Sequence, residues 1–239
     1  MSGCCARDPD AMLALLRAEC SARGDVWVFG YASLIWRPEF DAAEHRPALV
    51  RGWHRALRMR SQINRGTPQQ PGLVFALMPG GACRGFVYRM RPEAADAELE
   101  RLWGREMVGG GIYDPRFLPC ATPQGTVPAL TFTLSRRSEH YTGRLPDEQV
   151  LAILRHARGR YGSTLEYLAA TACALRERGV HDREIERLMR LAARAGLVDR
   201  AVDQPPATRR CGKRSESRSA SVSTSTSTPA SSTGTPTAG

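Results

Sequence analysis

The 239 residues, 42% of them hydrophobic, suffice for one ordinary domain with a real core plus tails. No run approaches the roughly 18 uninterrupted apolar residues of a membrane-spanning helix, and no basic region leads into an apolar run at the N-terminus, so a cytoplasmic protein is expected. Of the net charge of +10, Arg209, Arg210, Lys213, Arg214 and Arg218 against Glu216 put +4 on residues 205–239, leaving +6 on a body whose basic surface serves solubility.

In chain order, residues 10–19 (DAMLALLRAE) have helical spacing and predict a short amphipathic helix within an N-terminal extension over 1–24. Short strands separated by Gly and Pro come next: VWVF at 26–29, ALVRGW at 48–53, RALRMR at 55–60, LVFALM at 73–78, CRGFVYRM at 83–90 and ALTFTL at 129–134. Strands at this spacing predict a curled sheet or partly closed barrel. One helix over 92–107 interrupts them, opened by Pro92 and stopped at Gly109, Gly110 and Gly111. Further helices are predicted over 146–158, over 163–178 behind a Ser163/Glu166 capping box, and over about 182–195. Strands first and helices mostly last make an α+β domain over 25–200. From residue 201 the composition collapses into Ser, Thr, Pro, Gly and Ala, and 201–239 is expected to be a disordered tail.

Two features point to chemistry. Leu99, Leu102, Trp103 and Glu106 fall at i, i+3, i+4 and i+7, so the Glu106 carboxylate shares the apolar stripe and is expected to face inward. It also ends its helix, where the dipole disfavours an anion. Burial and dipole both raise a carboxyl pKa, the tuning that a proton shuttle near neutral pH needs. Periodicity alone also fits a helix-end Glu paired with a nearby Arg. The second feature is VFGYASLIW at 28–36, where a strand runs into small residues whose backbone N–H groups can hold a carboxylate or an oxyanion. It equally has the form of a generic glycine turn, and the absence of a GxSxG elbow argues against Ser33 as a nucleophile.

Six blocks then carry a resemblance: VFGYASLIWRP at 28–38, RGTPQQPGLVFAL at 65–77, CRGFVYRM at 83–90, LWGREM at 102–107, HYTGRL at 140–145 and YGSTLEYL at 161–168. In this order, across about residues 25–190, the chain resembles the ChaC family of glutathione-specific γ-glutamylcyclotransferases, in its bacterial-type branch. The resemblance implies a γ-glutamylcyclotransferase-like fold, a mixed small β-barrel with flanking helices. It implies that the γ-glutamyl group is cyclised to 5-oxoproline with release of Cys-Gly, and that neither metal nor organic cofactor takes part. The family's proton-accepting Glu falls on Glu106. Its substrate-binding loop falls on Val28, Phe29, Gly30 and Tyr31, and on Ala32, Ser33 and Leu34. Ala32 stands where many members have Gly, which costs about 1–2 kcal/mol if that position is left-handed. MVGGGIY stands where some members have Gly-Gly-Tyr close behind the Glu, and the resemblance leaves a substrate contact by Tyr113 open.

Arg65 and Arg105 are the basic residues nearest these blocks, and Arg105 reads equally as a substrate cation or as half of an ordinary salt bridge. The seven cysteines include no CxxC and no Cys/His pair at zinc spacing, and Cys83, Cys120 and Cys173 are expected to be inert core thiols. His45, His54, His140, His156 and His181 stand at no telling offset from Cys or Asp, and are expected on the surface or satisfied in the core. Trp36, Trp53 and Trp103 are expected in the core or a pocket wall. The expected partner is glutathione, with no nucleic acid and no membrane; the sequence leaves oligomeric state and the breadth of γ-glutamyl substrates open. The rivals are a cyclotransferase of other γ-glutamyl amides, a cysteine hydrolase built on Cys83 or Cys120, and a basic nucleic-acid-binding module.

Overall fold

The computed structural model describes residues 8–107 and 112–198. By contacts the chain divides into a unit over Met1–Pro205 and a second over Pro206–Gly239. The second unit lies outside the described residues, as do the tail expected over 201–239 and the glycine stop at 109–111.

The chain opens with α1 (Pro9–Arg23), longer than its apolar spacing predicts because Asp8 caps it and Gly24, at φ 78°, ends it. Then come β1 (Trp27–Gly30), the one-turn helix α2 (Ser33–Trp36), and the long strands β2 (Ala42–Ser61) and β3 (Gly72–Met90). A 3₁₀ turn (Pro92–Ala94) leads into α3 (Ala95–Glu106), followed by β4 (Asp114–Thr122) and β5 (Gly125–Thr133). The C-terminal part holds α4 (Asp147–His156), the two-residue strands β6 (Arg158–Gly159) and β7 (Gly162–Ser163), α5 (Thr164–Glu177) and α6 (Arg183–Arg194).

The five longer strands close into a mixed barrel in the order β1-β3-β2-β4-β5, with β1 parallel to β5 at Val28 and Leu130. The predicted strands at 48–53 and 55–60 are one strand, as are those at 73–78 and 83–90. Gly52, Gly80 and Gly81, all at positive φ, sit at a register shift between Arg51 and Trp53, so these glycines bend the paired strands at a bulge and do not turn the chain back. β4 escapes sequence reading because Pro115 and Pro119 interrupt it. It pairs with β5 along its length but meets β2 only through Leu49 and Val50, so most of one side has no ladder for a proline to break.

Phe29, Phe75, Leu77, Met78 and Leu130 fill the centre and are almost wholly buried. α5 begins with both halves of the Ser163/Glu166 capping box, and buries Tyr167, Leu168, Thr171 and Ala172 at helical spacing. Trp36 of α2 donates from Nε1 to Thr171 Oγ1 at 3.1 Å and meets the Tyr167 ring edge-on, which seats α2 on α5. None of the described helices is long and apolar enough to cross a membrane.

Candidate active site

A cavity of about 420 Å³ opens where β1 passes into α2, between the C-terminal end of α3, the 61–68 segment and α5. Its inner wall is aromatic, from Phe75, Phe132, Tyr31, Tyr113 and Tyr167. The Tyr31 hydroxyl donates to the Phe132 carbonyl at 3.0 Å, and the Phe75 N–H donates to the Tyr167 hydroxyl at 3.2 Å. Burial first, and then the nearby Glu106 charge, hold the Tyr31 phenol well above its ordinary pKa; at Tyr113 burial comes first and the Glu106 charge also contributes. These rings meet a ligand as neutral groups.

Glu106 is the last residue of α3 and lines the cavity, its side chain 15% exposed. The stripe that positions it is the one predicted: Leu99, Leu102 and Trp103 are buried on the same face. Burial raises the carboxyl pKa, the Arg105 guanidinium opposes this, and the Glu39 carboxylate adds to it. The ion-pair reading is present in the same place, since Arg105 Nε lies 3.2 Å from Glu106 Oε1. Inward placement and the pair coexist.

Of the expected loop residues, Tyr31, Ala32, Ser33 and Leu34 line the cavity together with Glu106. Val28, Phe29 and Gly30 do not; they lie behind it in β1, with Val28 and Phe29 fully buried. Gly30 is required by crowding, because a Cβ there would sit 2.9 Å from Tyr88 Cε2 and 3.1 Å from Leu34 Cβ. Ala32 has φ −142°, outside the left-handed region, so alanine carries no left-handed penalty there. Ser33 and Leu34 open α2, where the first N–H groups have no partner within the helix.

Arg65 lines the cavity at 7% exposure. Its guanidinium lies 5.1 Å from the Tyr167 ring centre and 5.9 Å from that of Trp36, and donates to the Tyr161 carbonyl. Burial pulls its pKa down. Among the described residues no carboxylate forms an ion pair with it, whereas Arg105 has both Glu39 and Glu106. Gly66 and Gly72 hold this segment closed, since a Cβ on Gly72 would come within 2.2 Å of the Arg65 carbonyl oxygen.

Sequence reading missed several residues here. Arg55 has a fully buried side chain, donates from Nε to the Tyr31 carbonyl and from Nη2 to the Arg84 carbonyl, and pairs with Asp182 at 2.5 Å. The signal was available: Arg55 alternates with Leu57 and Met59, both buried. Glu39, Tyr167 and His140 also line the cavity. His140, expected on the surface or in the core, has Nε2 3.7 Å from Glu139 Oε1. Cys83 and Cys120 are free, buried thiols, with burial pushing the second up to about 12, and neither lines the cavity. Among the described residues no group of three or more His, Cys, Asp or Glu could hold a metal ion.

Residues 26–195 match the family model described as ChaC-like protein. The glutathione-specific gamma-glutamylcyclotransferase of Escherichia coli (strain K12) is 35% identical over 173 residues, which cover 72% of this chain and 74% of that one. Glutathione-specific gamma-glutamylcyclotransferase 1 of Mus musculus is 34% identical over 152 residues, 62% of this chain and 68% of its own. Among solved structures, a yeast gamma-glutamyl cyclotransferase specific to glutathione superposes with a TM-score of 0.65 at 21% identity, over 72% of this chain and 96% of that one, a likeness of fold.

Proposed function

The chain belongs to the ChaC-like family, and from that premise we propose how its cavity works as a glutathione-specific γ-glutamylcyclotransferase, with Glu106 carrying the protons. The observation that carries this reading is that the Glu106 carboxylate, its side chain mostly buried, and the turn at 31–34 line the same cavity.

In glutathione the α-amine can reach the γ-carbonyl carbon of its own glutamyl group. Attack forms the C–N bond of 5-oxoproline, and collapse of the tetrahedral intermediate breaks the amide bond to Cys-Gly. The α-ammonium loses two protons on the way to the lactam nitrogen, and the departing nitrogen gains two as it leaves as an ammonium. A carboxylate that takes protons from the first and delivers them to the second ends unchanged, and no water is consumed. Glu106, its proton affinity raised by burial, suits that exchange.

The attack is internal, so holding the glutamyl group in its cyclising conformation supplies much of the acceleration; aligned internal nucleophiles reach effective molarities of about 10⁵ M or more. The N–H groups of the 31–34 turn are the donors for the oxyanion or the α-carboxylate. Arg65, a buried cation that forms no ion pair with a carboxylate among the described residues, takes one of the substrate's two carboxylates. The thiols of Cys20, Cys83 and Cys120, none of them in a disulfide, suit the reducing cytoplasm, where we place the protein.

Purified protein incubated with glutathione is expected to release 5-oxoproline and Cys-Gly in equal amounts. Release of free glutamate in place of 5-oxoproline would mean that water attacks, and the cyclisation would be wrong.

A further inference from the structure

We propose that Arg105 is a positioning residue, one guanidinium that fixes the Glu106 carboxylate to the Ser33 turn, with Glu39 as its counter-ion. This rests on the reading of Glu106 as the proton carrier and assigns roles to two residues around it.

The geometry comes from three segments. Nε of Arg105 lies 3.2 Å from Glu106 Oε1, and Nη2 donates to Ser33 Oγ at 2.9 Å. Nη1 donates to the Arg37 carbonyl at 2.5 Å and to Glu39 Oε2 at 3.0 Å. Most of the guanidinium's N–H groups are therefore committed to protein, whereas Arg65, also in the cavity lining, forms no ion pair with a carboxylate among the described residues. The planar fork of arginine fixes these partners in one plane, a constraint that a lysine point charge does not impose.

Glu39 gives the second, independent observation. It is the only non-glycine residue at positive φ among those described, at 59°. That conformation disfavours any residue with a Cβ, and persists where the surroundings over-determine it. Here they do, because the carboxylate bridges Arg37 Nε at 2.5 Å and Arg105 Nη1 at 3.0 Å. The strained residue faces the cavity, and its product is a neutralised Arg105 aimed at Glu106.

The charged and titratable groups that share the cavity with Glu106 are Arg105 on its own helix, Glu39 and Arg37 after α2, Tyr31 before it, Tyr113 before β4, Arg60 and Arg65 at the end of β2 and after it, Glu139 and His140 before α4, and Tyr161 before α5 and Tyr167 on it. Arg105 stabilises the carboxylate and Glu39 opposes it, so removing each must move the proton equilibrium in opposite directions.

The test is the pH dependence of kcat/KM on glutathione for the native protein, Arg105→Ala, Arg105→Lys and Glu39→Gln, each with a thermal melt. In the native protein the acid limb should lie above the range of an ordinary glutamate. Arg105→Ala is expected to lose about 100-fold in kcat, the scale of a misplaced reacting group, and to move the acid limb to higher pH. Added guanidinium ion below denaturing concentration should restore part of that kcat, and Arg105→Lys should restore less than the native fork. Glu39→Gln should move the limb to lower pH. Limbs that stay in place, or move the same way in both variants, with losses that follow the melting temperature, would make the cluster structural and overturn the proposal. Glu106→Gln separates the two failures: if it turns over glutathione normally, the reading of Glu106 falls, and if it is inert while Arg105→Ala keeps the native kcat and limb, only the role of Arg105 falls.

Discussion

A carboxylate at the last residue of a helix, enclosed by aromatic rings, is a poor choice for stability and a good one for proton transfer. Glu106 was legible because its helix has a strict stripe, and three buried neighbours at i−7, i−4 and i−3 force the fourth member inward. Arg65 was legible only as a cation near the site. What the sequence could not say is which arginine is already occupied, since that depends on Glu39, a residue whose carboxylate reaches Arg105 from another segment. The division of labour predicts that Arg65→Met raises KM for glutathione more than it lowers kcat. A lost charge-assisted hydrogen bond, about 1.5–3 kcal/mol, corresponds to roughly ten- to a hundredfold in kcat/KM. An unchanged KM in steady-state kinetics would remove Arg65 from substrate binding.

At the scale of elements, the turn that bears Ser33 is held from behind. Arg55 of β2 donates to the Tyr31 carbonyl, and its charge is balanced by Asp182. The same Asp182 caps α6, accepting from Glu184 and Ile185 N–H at 3.0 and 3.1 Å. One side chain thus ties the start of the last helix to the loop beside the cavity. Asp182→Asn keeps the capping oxygen but leaves the buried guanidinium without its counter-ion, and is expected to cost about 3 kcal/mol or more in urea unfolding. A loss below about 1 kcal/mol, the scale of an exposed pair, would show that Arg55 finds another partner. The stripe of α3 and the capping box of α5 were legible because they are local. The continuity of β2 and of β3 was not, because Gly80-Gly81, a turn signal in isolation, becomes part of a bulge opposite Gly52 once its neighbours are paired across the sheet. β4 was hidden by two prolines that only a mostly one-sided strand tolerates.

At the scale of the molecule, the closed mixed barrel leaves a cavity where β1 runs into α2 and α3 ends. The α+β class and the barrel followed from the order of strands and helices; the cavity required knowing which ends meet. Folding raises the Glu106 pKa above its unfolded value, so the ionised group subtracts stability at neutral pH, and the penalty fades as pH falls through the folded pKa and below the unfolded one. Replacing it with a neutral isostere removes that penalty. The decisive measurement is therefore kcat of Glu106→Gln with glutathione, taken beside its melting temperature at neutral pH. The account predicts a loss of about 10²–10⁴-fold with the melting temperature held or raised. A Gln variant that still releases 5-oxoproline at the native rate would contradict it.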